Sequence, residues 1–251
     1  MLVKTWNNSN PSEIPTESQF FEKGILIPEE FTQAGDRLIL SNPIWSWKRA
    51  EEGGNEEKCL EPDKQFLSAM VISRQRLKDI TEIVKEAEMD IKGWTSLQIQ
   101  DKPRKEVSEQ EIADLEVIDD EVKFEVEDEE DEIEKRIYTV NITYDRYYLT
   151  PRFWLSGVDY QNKPLTKEMI YEEVIGDYKD KTVTYDRQPH RKIDMVNIHP
   201  CQHAAVLRDL ANRARANGND IQPDLCLFIF LKFITSVMPG LEIDFTTDIE
   251  L

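Results

Sequence analysis

Apolar residues change their spacing several times along the chain, and each change marks an element. Residues 20–40 (FFEKGILIPEEFTQAGDRLIL) predict a short helix that starts at Pro28, a residue favoured in a first helical turn, and stops near Gly35. Residues 44–47 and 65–72 read as strands, separated by a polar loop that contains Gly53 and Gly54. Within residues 74–89, Leu77, Ile80, Ile83, Val84 and Ala87 recur at helical spacing. The charged stretch that follows carries too little apolar matter to offset its ordering entropy, so residues 90–133 read as a flexible insertion.

Order resumes where apolar and polar positions alternate, most regularly in IYTVNITY, and residues 136–144 and 152–158 predict two strands joined by the YYLTP turn. Residues 166–178 predict a helix capped by Thr166, residues 182–186 a short strand, and residues 188–196 a loop. Leu207, Leu210, Ala211 and Ala214 give residues 204–216 a helical period that Gly218 stops. Residues 223–238 are apolar on nearly all sides, which predicts a buried helix. The pattern is α+β. Residues 1–19, with two prolines and no helical period, form a loose leader, and residues 20–89 and 134–251 form the two parts of one domain around the insertion.

Charge sharpens this division. Residues 106–134 hold sixteen Asp or Glu against Lys123 alone, a net of −15 out of −19, so the rest of the chain is nearly balanced at −4. A phosphate backbone is repelled by such a field and no basic stripe offsets it, which excludes nucleic acid as a partner and favours basic protein patches. The most apolar run, residues 225–238, contains Lys232 and is shorter than the roughly 20 residues that span a bilayer, so a soluble chain with only peripheral membrane contact is expected.

Cys59, Cys201 and Cys226 fit no disulfide framework, and a reducing compartment is expected. Cys226 lies in the apolar run LCLFIFL and reads as core, while Cys59 lies in a charged loop. Cys201 differs. In IHPCQHA it stands between His199 and His203, after Pro200 and just before a helix, where the helix dipole and a nearby imidazolium favour the thiolate. Three readings compete with a nucleophile of acyl transfer. The thiol is a small buried apolar group, or it joins His199 and His203 in a zinc site, for which four ligands at characteristic spacings are wanting, or it works with a histidine as a hydrolase, for which His190 is the one histidine distant in sequence.

The segments FEKGILIPEEFTQAGDRL, NPIWSW, DKQFL, TYDRYYLTPRFWLSGVD, PLTKEMIYEEV, KTVTYDRQPH, IHPCQHA and LFIFLKFITSVMPGLEIDFT, in this order, resemble the autophagy-related protein 3 family. Its members are ubiquitin-conjugating-type enzymes that link autophagy-related protein 8 to phosphatidylethanolamine. The resemblance implies a ubiquitin-conjugating-enzyme-like fold, an antiparallel sheet with flanking helices and a long acidic flexible insertion. It implies that Cys201 forms a thioester with the modifier, received from an activating enzyme of the autophagy-related protein 7 kind, and that a lipid amine then takes the acyl group.

By the same resemblance Thr150 is the side chain that assists transfer, otherwise a turn threonine before Pro151, and His199 and His203 tune the thiol or shape its loop. No cofactor is implied. Trp94 and Leu97, in Trp-x-x-Leu form, are candidates for binding the modifier by strand addition, and residues 111–122 for docking the activating enzyme. The family's usual N-terminal amphipathic helix has no counterpart in residues 1–19, where Leu2, Val3 and Trp6 are the candidates for a weaker anchor. The implied location is cytoplasmic, peripheral at autophagic membranes. A non-catalytic adaptor that holds modifier and activating enzyme is the alternative function.

Overall fold

The computed structural model describes residues 14–73, 136–159, 161–175, 182–219, 221–241 and 243. Its centre is a six-stranded sheet of β1 (Ser46–Lys48), β2 (Phe66–Ser73), β3 (Arg136–Asp145), β4 (Thr150–Val158), β5 (Val183–Arg187) and β6 (Asp194–Ile198). The order is β1-β2-β3-β4-β6-β5 and every pairing is antiparallel. The helices are α1 (Phe20–Lys23), α2 (Pro28–Ser41), α3 (Lys167–Tyr171), α4 (His203–Ala216) and α5 (Cys226–Val237). The α+β class and the antiparallel sheet with flanking helices are as expected. The predicted helix in residues 74–89, the insertion 90–133 with Trp94 and Leu97, and residues 1–13 of the leader lie outside the described residues.

Alternation along the strands separates the two faces of the sheet. Leu67, Ala69 and Val71 of β2 stand opposite Ile142, Val140 and Tyr138 of β3, and Phe153 and Leu155 of β4 continue the same rows. All eight are buried. Helix α5 packs against β4, α2 and α4, and nine of its twelve residues are buried, as a sequence apolar on nearly all sides predicts.

Helix α3, capped by Thr166 as expected, ends at Tyr171 and does not run through the predicted 166–178, and two further elements depart from the sequence reading. Helix α2 does not stop at Gly35 but continues to Ser41, where Asn42 turns extended ahead of Pro43. Gly35 is a contact residue, because a Cβ on it would lie 2.1 Å from a ring carbon of Trp47. The indole packs on the helix and donates from Nε1 to Asp36 at 2.8 Å. The second departure is β6, which occupies part of the expected loop. Its residues Met195, Val196, Asn197 and Ile198 are all buried, so no alternation betrays a strand. A tight turn closes the β5–β6 hairpin, with Gln188 N–H donating to the Ile193 carbonyl at 2.9 Å and Lys192 in the left-handed region at φ 57°.

Candidate active site

Strand β6 delivers the chain to Cys201. The His199 N–H donates to the Thr182 carbonyl at 2.7 Å, extending the β5–β6 pairing by one residue. His199 is itself extended, as a residue before proline prefers, and Pro200 then opens a single 3-10 turn, Pro200–Gln202, that runs into α4. Cys201 is the middle residue of that turn and is exposed, whereas Cys59 is half-buried and Cys226 is buried. Its N–H donates to His199 Nδ1 at 3.3 Å. That bond makes Nδ1 the acceptor, so the neutral His199 ring carries its proton on Nε2.

The second wall of the site is the turn between β3 and β4. Asp145 Oδ1 accepts the N–H groups of Tyr147 and Tyr148 at 3.0 and 3.1 Å, and the Leu149 N–H closes on the Asp145 carbonyl at 2.7 Å. Leu149 is left-handed at φ 54°, an uncommon state for a side chain other than glycine. The turn sets the Tyr148 ring edge-on to His199, centroids 5.6 Å apart, and Tyr147 against Tyr148 at 4.8 Å. Burial first, and nearby Cys201 second, push the Tyr148 phenol up. Thr150 follows as the first residue of β4, fully buried, and its hydroxyl has no partner among the described residues.

Beneath both walls lies Arg152, 5% exposed. It donates to Asn197 Oδ1 at 3.0 and 2.6 Å and to Asp186 at 3.2 Å, pairs with buried Asp145 at 3.5 Å, and covers the Trp154 ring at 4.5 Å. Burial first, and the Arg152 cation second, hold the His199 imidazole below its usual value, while Asp145 and Asp186 pull the other way. His199 therefore stands beside Cys201 as a neutral ring at pH 7, and not as the imidazolium expected to favour the thiolate, because burial and the Arg152 cation disfavour its charge.

His203 is placed differently from His199. It is 1% exposed, lies edge-on to Phe230 and Phe233 with centroids at 5.1 and 5.7 Å, and its Nδ1–H donates to the Pro151 carbonyl at 2.8 Å. The competing zinc set of His199, Cys201 and His203 is not brought together, since Cys201 faces solvent and the His203 ring faces the core. His190 is also buried, stacked on Phe66 and bonded through Nδ1 to the Asn55 carbonyl at 2.6 Å, so its ring is engaged away from the thiol. Tyr148, Asp145, Arg152 and Asn197 are the members of the site that the sequence reading did not single out. An arginine inside the otherwise apolar strand RFWL was the one available signal.

Burial holds the His203 imidazole at about 4, against an ordinary value of about 6.5. The unfolded chain therefore takes up a proton as pH falls through about 6.5, and the folded chain only near 4. Stability is complete above about 6.5, declines between the two values and levels below about 4, with a total loss on the order of 3 kcal/mol from this residue. Urea unfolding from pH 7.5 to 4.5 should show a weaker acid decline in His203→Gln than in the wild type; identical slopes would rule the assignment out.

Residues 30–245 match the family described as autophagocytosis associated protein, active-site domain. The chain is 32% identical to autophagy-related protein 3 of Dictyostelium discoideum, over 99% of the chain and 96% of that protein. Against autophagy-related protein 3 of Schizosaccharomyces pombe it is 35% identical over 91% of each, and against that of Arabidopsis thaliana 31% identical over 94% of the chain and 91% of the relative.

Proposed function

From the premise that the chain belongs to the autophagy-related protein 3 family, and so has a conjugating-enzyme role in autophagy, we propose that Cys201 carries a ubiquitin-like modifier as a thioester and delivers it to phosphatidylethanolamine. The modifier is of the autophagy-related protein 8 kind and the activating enzyme of the autophagy-related protein 7 kind. The observation that carries this reading is the exposure of Cys201 at the mouth of α4, on a turn flanked by a neutral imidazole and a phenol.

Two acyl transfers follow. In the first, the Cys201 thiolate attacks the carbonyl carbon of the modifier's C-terminal glycine, a C–S bond forms, and the activating enzyme's thiolate leaves. In the second, the uncharged lipid amine attacks the same carbon, a C–N bond forms, the C–S bond to Cys201 breaks, and the amine's surplus proton passes to water. Both steps depend on positioning and on stabilising negative charge at the carbonyl oxygen more than on acid or base strength. Thr150 is the proposed donor to that oxygen, a role supported by its place directly after the turn that meets His199 and by a hydroxyl with no other partner among the described residues.

His199 fixes the turn through the Cys201 N–H. His203 locks the first turn of α4 to β4 from below, a positioning role for a residue whose ring is turned from the thiol. Trp94 and Leu97 are the proposed docking pair for the modifier, and the chain is proposed to work from the cytoplasm at the surface of autophagic membranes.

Incubation with activating enzyme, ATP and modifier should give an adduct on a non-reducing gel that added thiol releases, and vesicles containing phosphatidylethanolamine should consume it. Stable binding without an adduct would replace the enzyme by an adaptor, and ester or peptide turnover without ATP would point to a hydrolase.

A further inference from the structure

We infer that residues 24–26 form a strut that sets the spacing between the Cys201 turn and the Thr150 loop, with Gly24 and Tyr144 as positioning residues for the transfer step. This rests on the thioester reading above. One end of the strut meets α4. Gly24 closes α1 at φ 72°, and a Cβ on it would lie 1.8 Å from the Ala204 carbonyl oxygen and 2.9 Å from the Arg208 nitrogen. The glycine backbone is therefore in direct contact with the first turn of the helix, three residues beyond Cys201. Asn212 of α4 donates to the Phe21 carbonyl at 3.2 Å, and the Arg215 guanidinium covers the Phe21 ring at 4.2 Å, so α1 is pinned along the same helix.

The other end meets the β3–β4 turn. The Leu26 N–H donates to the Leu149 carbonyl at 2.8 Å, and the Leu26 carbonyl accepts from the Tyr144 hydroxyl at 2.7 Å. Leu149 is the left-handed residue immediately before Thr150, so the strut holds the turn in its uncommon conformation from outside. From Gly24 to Leu26 the chain spans at most about 7 Å, too short to absorb a shift by bending. Any displacement at one end is passed to the other.

The two steps of the reaction respond unequally to such a shift. Charging needs an accessible thiol, whereas transfer needs the thioester carbonyl and the Thr150 hydroxyl in register, and a misplacement of about 1 Å can lower a rate on the order of 10²-fold. The test uses the full chain as wild type, Gly24→Ala and Tyr144→Phe. Folding is checked by circular dichroism, charging by thioester formation, and transfer by single-turnover discharge to vesicles of phosphatidylethanolamine. Tyr144→Phe removes one hydroxyl and leaves its buried ring.

Charging within about twofold of wild type, with discharge slowed about tenfold in Tyr144→Phe and up to about 10²-fold in Gly24→Ala, is the expected result. A folded Tyr144→Phe that discharges at the wild-type rate overturns the inference, as does a parallel fall of charging and discharge; should Gly24→Ala not fold, Tyr144→Phe decides alone. A wild-type chain that never charges overturns the thioester reading and the strut with it, whereas wild-type charging with unaltered variants overturns the strut alone.

Discussion

Cys201→Ala should abolish the thiol-sensitive adduct completely, with nothing taken over by the two remaining cysteines. Cys226 is fully buried in α5 and burial pushes its thiol well up. Cys59 is half-buried against the core, and burial first, with Glu57 second, pushes it up to about 12. At neutral pH a thiol of that kind is ionised to about one part in 10⁵, and the thiolate is the species that attacks. The Cys201 side chain is exposed and the hydrogen bond to His199 runs from its backbone N–H, so the substitution should change stability by less than about 0.5 kcal/mol. Cys201→Ser provides the complementary result. An oxygen in the same place gives an ester that added thiol does not release but alkali does. An adduct that survives in Cys201→Ala, or one that moves to Cys59, would remove Cys201 from the proposed chemistry.

How much of this was readable beforehand follows from the range of the interactions involved. Helix α5 was legible because a run apolar on nearly all sides has one outcome, and β3 because alternation in IYTVNITY is a local signal. Gly35 misled the reading because a glycine that ends a helix and one that admits an indole look alike until Trp47 is in place. Strand β6 was invisible because Met195 to Ile198 are all buried and so show no alternation, and the one polar residue among them, Asn197, finds its partners Arg152, Thr184 and Asp186 only in the folded sheet.

The site divides in the same way. Cys201 stood out through its neighbours in sequence, the two histidines and the proline before a helix. The distinction between those histidines did not, since it depends on whether the ring meets Tyr148 on the surface or Phe230 and Phe233 in the core. Tyr148 and Arg152 acquire meaning only when the β3–β4 turn is folded onto the turn that carries the thiol. Local chemistry singled out the candidate thiol, and long-range packing decides what holds it.

Arg152 gives that packing a measurable weight. Arg152→Met should destabilise the chain by about 3–5 kcal/mol in urea unfolding, because it leaves the Asp145 carboxylate buried without its cation and removes the fork that satisfies Asn197. Asp186 contributes less, since its side chain is half exposed and water can replace the arginine there. Charge and packing can be separated with Asp145→Asn. An asparagine oxygen can still accept the Tyr147 and Tyr148 N–H groups that form the turn, so the double variant Asp145→Asn with Arg152→Met removes both charges and keeps the turn. It should recover at least about 2 kcal/mol relative to Arg152→Met alone, as expected when a buried ion pair is replaced as a unit. A loss below about 1 kcal/mol in the single variant, or a double variant no more stable than the single, would mean that the guanidinium acts on the site through its contact with Trp154 and not through the buried pair.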